Sequence, residues 1–177
     1  MTDDDVIRIP LRARDGSVRA WAIVDREDED LAGLTWSVQA SRHGHTMYAN
    51  RSGLNRPHQS MHRVILARIV GRDLARSEQT DHMDGDGLNN RRRNIRVATA
   101  KQNMANIASR HGSSSRYLGV GWNKNAGKWN TRCRIDGRNT HIGLFSDEED
   151  AARAYDRAAR ESHGEFARLN FPDGGDA

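Results

Sequence analysis

Between residues 81 and 103 the chain gathers side chains that could do hydrolytic chemistry. Asp81-His82 opens the stretch, Asn94 and Asn103 close it, and Arg91-Arg92-Arg93 lies between. A carboxylate and amide oxygens suit a hard divalent ion such as Mg²⁺ or Mn²⁺, which keeps several waters. An imidazole with an unperturbed pKa of about 6.5 can take a proton from water near neutrality. Adjacent guanidinium groups meet phosphate oxygens without reading sequence. Together these are the parts needed to break a phosphodiester bond, with a polynucleotide as the partner.

Such groups act only if the surrounding elements bring them together. The pattern predicts a strand over Gln79–Met83, a loop at Asp84–Leu88 and a second strand at Ile95–Ala98. Thr99 and Gln102 match a capping box, so a helix is expected from Ala100 to about Ser109. Strand, strand, helix would let Asp81 and Asn103 share one ion, water and phosphate oxygens completing its shell. His82 alternates with Asp81 along its strand and needs the opposite side, or a twist, to approach the same phosphate. Asn94 could hold the imidazole in its useful tautomer. Arg91, Arg92 and Arg93 are expected on the nucleic-acid backbone. Upstream, Met61–Val70 has a helical apolar face, and His62 is read as packing locally. Asp84 and Asp86 read as turn chemistry, because no downstream Glu completes a calcium loop.

Composition limits the alternatives. At 177 residues with 36% hydrophobic and 29% charged residues, small modules with modest cores fit better than one large core. A lone Cys133 excludes a disulfide framework or cysteine-based zinc knuckle, and no apolar run approaches membrane-spanning length. The acidic start is not read as a secretory signal, and the lone cysteine fits a reducing, cytoplasmic compartment. Net charge is +4, but residues 59–112 carry 10 basic and 5 acidic groups, and arginine supplies 25 of the 28 cations. Arginine suits bidentate phosphate and guanine contacts.

Residues 1–58 read as short strands at Ile7–Leu11, Val18–Val24, Val38–Arg42 and Thr46–Arg51, turning at Asp15-Gly16 and His43-Gly44-His45. Trp21, Trp36 and Tyr48 are the expected core, and the acidic run Asp25–Asp30 a solvated helix start or loop. After a Ser/Gly-rich linker, Tyr117–Trp122, Lys128–Ile135 and Asn139–Phe145 read as three strands followed by a helix capped by Ser146 and Glu149. Arg132 and Arg134 alternate with Thr131, Cys133 and Ile135, separating a cationic face from a core face. Residues 116–141 hold six cations and one anion, whereas 142–177 hold four and nine, so a polyanion would meet the sheet.

Asp81-His82, Asn94 and Asn103, with upstream Met61-His62-Arg63, resemble the HNH (ββα-metal) endonucleases of the homing type over about residues 60–107. The resemblance implies metal binding by Asp81 and Asn103, His82 as general base and Asn94 orienting it. Tyr117-Leu118-Gly119-Val120, Ile142-Gly143-Leu144-Phe145 and the alanine-rich helix that follows resemble the Apetala/ethylene-response-factor (ERF) DNA-binding domain over about residues 115–172. That resemblance implies duplex contacts from Trp122, Lys124, Arg132, Arg134, Asn139 and His141. The plant pattern has arginine where this chain has Leu118 and Gly121, so the plant target does not transfer. The expected architecture is α+β: an N-terminal β-rich region (1–58), a ββα-metal nuclease module (59–108), a linker (109–115), then a three-stranded antiparallel sheet packed on one helix (116–172). The function expected is metal-dependent cleavage of double-stranded DNA, with dimerisation allowing two cuts. The rival is a non-cleaving, sequence-specific DNA-binding regulator.

Overall fold

The computed structural model describes residues 6–41, 46–53, 56–105 and 114–172. The turn expected at His43-Gly44-His45 and the linker as far as Ser113 lie outside them. The chain divides into two compact units, Met1–Ala100 and Lys101–Ala177.

In the first unit β1 (Val6–Arg12) and β2 (Val18–Asp25) form an antiparallel hairpin. Its turn is fixed by the Asp15 carboxylate, which accepts from the Ser17 N–H and hydroxyl, and by Gly16 at φ 83°. Alternation sends Ile9, Leu11, Ala22 and Val24 inward. Trp21 pairs with Pro10 on the outer face and is 49% exposed, so the core expected around it forms on Trp36 alone of the two tryptophans. β3 (Ser37–Ala40), β4 (Met47–Gly53) and β5 (Arg56–Ser60) make a meander. No strand was expected at β5, because Pro57 interrupts it and its side chains do not alternate. It lies at the sheet edge, where proline is tolerated.

The acidic run is not solvated as expected. It forms a 3-10 stretch, Arg26–Gly33, in which Asp28 is fully buried. Arg68 Nη1 donates to Asp28 Oδ1 at 2.9 Å, and Arg92 Nε to Asp28 Oδ2 at 2.8 Å. A carboxylate leaves water only where cationic donors replace its hydration.

α1 (Met61–Val70) ends at Gly71, in the left-handed conformation that favours glycine. β6 (Gln79–His82) pairs antiparallel with β7 (Ile95–Ala98), and α2 (Ala100–Ala105) follows. Ile9, Leu11, Val24 and Trp36 share one core with Met61, Ile65, Leu66 and Ile95. The N-terminal strands therefore supply part of the hydrophobic support of the helix and hairpin beyond residue 58.

In the second unit β8 (Val120–Asn123), β9 (Lys128–Ile135) and β10 (Arg138–Phe145) form an antiparallel meander packed on α3 (Glu148–His163). Asp147, one residue later than the expected Ser146, caps α3 by accepting from the Glu149 and Asp150 N–H groups. Its charge also suits the positive end of the helix dipole. Ala151 and Ala152 are buried against Tyr117 and Val120, and Thr131 Oγ1 donates to the Ala151 carbonyl at 3.0 Å. β8 starts later than the expected Tyr117 because Gly119 adopts φ 71°. A Cβ there would strike the Tyr155 ring and the Arg132 carbonyl.

Candidate functional site

At the end of β6 both Asp81 and His82 are buried, on opposite sides of the strand. Asp81, 1% exposed, faces its cross-strand partner Arg96, whose Nε and Nη2 each lie 2.8 Å from Asp81 Oδ2. His82 turns toward α1 and β4. Its ring lies 5.4 Å from His62 and 5.9 Å from Tyr48, and His62 and Tyr48 are 5.2 Å apart. Gly87 in the loop lets Tyr48 approach, since a Cβ there would come within 2.6 Å of the Tyr48 ring.

The asparagine that reaches the imidazole is Asn90. His82 Nε2 lies 3.2 Å from Asn90 Oδ1. Asn90 Nδ2 donates to the Leu88 carbonyl at 3.2 Å and points at Met61 Sδ at 3.6 Å, which identifies Oδ1 as the acceptor. Nε2 therefore carries the hydrogen and Nδ1 keeps the lone pair. Asn90 itself is held by β2: its N–H donates to the Ile23 carbonyl at 2.7 Å, and the Ile23 N–H to the Leu88 carbonyl at 2.8 Å.

Asn94, expected on the imidazole, instead clamps the loop. Its Nδ2 donates to Asp84 Oδ1 and the Asn89 carbonyl, and its Oδ1 accepts from the Asp84 N–H. Asn103 is half-buried on α2 in the second unit, whereas Asp81 belongs to the first. Of the three arginines, Arg93 is exposed and Arg91 Nε is bonded to Asn89. Arg92 is not directed to a ligand as expected; it is drawn into the Asp28 and Glu27 carboxylates, with its N–H on Asp25.

Burial pushes the His82 pKa down, against the Asn90 hydrogen bond and the carboxylates of Asp84, Asp86 and Asp81, which push it up. The net result favours neutral imidazole at pH 7. For His62, burial first, then His82, Arg63 and His58, lower the value to about 3. Its Nδ1 is buried without a hydrogen-bond partner. Because the unfolded chain takes up this proton near pH 6.5 and the folded chain only near 3, stability is lost as pH falls through that window. The loss across the whole window is on the order of 5 kcal/mol. Thermal melting between pH 7 and 4 should therefore fall more steeply for the wild-type protein than for His62→Phe.

Asp81 supplies a carboxylate oxygen of the kind a hard divalent ion takes, and in this structure that oxygen is matched to the Arg96 guanidinium. Among the described residues no cluster of three His, Cys, Asp or Glu side chains forms a metal cage.

In the second unit the register defines the cationic face. Arg132 pairs with His141 and Arg134 with Asn139, and all four are exposed. Asn130, expected on that face from the alternation, and Lys128, which sequence reading did not single out, share it along β9. Lys124 is exposed in the turn after β8. Trp122 is elsewhere: it pairs with Trp129, their rings 5.0 Å apart, on the side that carries α3.

The pattern of the HNH endonuclease family matches residues 60–105, which hold α1, β6, β7 and α2. The chain is 33% identical to Protein 3.8 of Escherichia phage T7 over 89 residues, covering 50% of this chain and 73% of that protein. It is 32% identical to an uncharacterized HNH endonuclease of Acanthamoeba polyphaga mimivirus, covering 64% of this chain and 58% of that protein. It is also 42% identical to an AP2-like ethylene-responsive transcription factor of Arabidopsis thaliana over 64 residues, which are 36% of this chain but only 20% of the plant protein.

Proposed function

We propose that this chain, whose residues 60–105 match the HNH endonuclease family and whose C-terminal part is similar to an AP2-like factor, is a metal-dependent, homing-type DNA endonuclease that cuts near a duplex site gripped by its C-terminal sheet. The observation that carries the reading is His82. Its Nε2 is tied to Asn90, its Nδ1 keeps a lone pair, and burial keeps the ring neutral. Nδ1 accepts the proton of a water whose oxygen attacks phosphorus. The bond from phosphorus to the 3′ oxygen breaks, that oxygen takes a proton from solvent, and the ends are 5′-phosphate and 3′-hydroxyl. A divalent ion, Mg²⁺ or Mn²⁺, held by Asp81, would neutralise charge on the phosphate and the departing oxygen.

The remaining residues prepare the substrate. Arg93 and Arg91 are assigned to the DNA backbone, Asn94 to the loop behind His82, and Lys124, Arg132, Arg134, Asn139 and His141 to the duplex site. Tethering of the two units raises the concentration of the nuclease at that site. A monomer would nick, and a homodimer would cut both strands. The place of action proposed is the cytoplasm of a bacterial or phage-infected cell.

Supercoiled plasmid separates this reading from a non-cleaving regulator. With Mg²⁺ the protein should convert it to open-circular DNA, and EDTA should stop the conversion. A gel shift with no strand breakage at any Mg²⁺ or Mn²⁺ concentration would assign the chain to regulation instead.

A further inference from the structure

Asp81 and Arg96 face each other across the β6–β7 hairpin, and the guanidinium Nε and Nη2 each lie 2.8 Å from Oδ2. The carboxylate is 1% exposed, whereas the Arg96 side chain is 18% exposed. We propose that Arg96 is the resident cation of the Asp81 carboxylate and competes with the divalent ion for it, so that metal loading displaces Arg96 and a DNA phosphate that receives it promotes loading. This rests on the nuclease reading, and it concerns a residue to which that reading gives no role.

The argument is electrostatic. An ion bound to Asp81 would sit about 2 Å from a carboxylate oxygen. A guanidinium on the same carboxylate would then stand a few ångströms from a doubly charged ion, with little water between them to screen the repulsion. One of the two must withdraw. Arg96 is the partner with a route out, through its partial exposure, and a phosphodiester oxygen offers it an equivalent fork-shaped contact. DNA that takes Arg96 would free Asp81 for the ion, and by linkage the ion would strengthen the hold on DNA. Removing the arginine charge should therefore tighten metal binding by the DNA-free protein, the opposite of what loss of a metal-supporting residue would do.

The test measures Mn²⁺ binding by titration calorimetry on the full-length protein without DNA. Arg96→Met should bind Mn²⁺ about tenfold more tightly than wild type, and Arg96→Lys, which keeps the charge, should stay close to wild type. Equal or weaker binding by folded Arg96→Met overturns the proposal. Should that variant not fold, the wild-type protein carries the test by NMR. The Arg96 Nε–H resonance should move as Mg²⁺ is added, and a resonance that stays fixed through saturation overturns the proposal. Asp81→Asn separates the two layers. If it abolishes Mn²⁺ binding, the metal reading stands whatever Arg96 does; if it binds Mn²⁺ like wild type, both fall.

Discussion

His82→Ala should lower the rate of plasmid nicking by roughly 10²–10⁴-fold, the usual contribution of a positioned general base, while gel-shift affinity for duplex stays unchanged. The imidazole also packs on His62 and Tyr48, so His82→Gln, which fills more of the same space, guards against a folding artefact. The same argument assigns a separable role to Asn90. Asn90→Ala leaves Nε2–H without its acceptor and releases the tautomer, so the rate should fall with DNA affinity intact. Asn90→Asp keeps the acceptor and adds a negative charge that favours the imidazolium. The proposed mechanism needs neutral His82, whose pKa burial holds below the usual value, so activity should decline only as pH falls below about 6.5. Asn90→Asp should shift that acid limb upward. An acid limb in the wild-type protein at or above pH 7, or an Asn90→Ala enzyme of full activity, would remove this pair from the mechanism.

The β6–β7 hairpin was legible because its signals are local. Two short strands flank an Asp- and Gly-rich loop, and β6, β7 and the start of α2 fall where alternation and the Thr99–Gln102 pair place them. What was not legible depends on partners far along the chain. Asn89, Asn90 and Asn94 lie within six residues and are chemically alike. The one that meets His82 is decided by the β2 edge at Ile23, which hydrogen-bonds the backbone of residues 88 and 90. Arg92 reads as a phosphate contact in the local sequence, yet its charge is claimed by Asp28, 64 residues away. The same carboxylate explains why an acidic run that looks solvated is buried. In the second unit a single backbone angle matters. Gly119 at φ 71° starts β8 later than its apolar pattern suggests, and the register then sets Trp122 opposite Trp129.

That register leads to the second large expected effect. Arg132→Ala combined with Arg134→Ala should weaken binding to the target duplex on the order of 10²-fold or more, since each bidentate base contact is worth about 1–3 kcal/mol. The salt dependence of binding should flatten if either arginine meets phosphate rather than a base edge. Neither side chain is buried, so the fold should survive the double substitution, and nicking at saturating DNA should persist because His82 and Asp81 lie in the other unit. Trp122→Ala provides the contrast. Its ring meets Trp129 edge to face on the α3 side of the sheet, so the substitution should lower the melting temperature and leave the affinity of the folded protein nearly unchanged. The two variants thus test which side of the sheet meets the polyanion. If Trp122→Ala carries the affinity loss while the arginine pair does not, the duplex is read from the α3 side and the charge separation along β9 serves solubility alone.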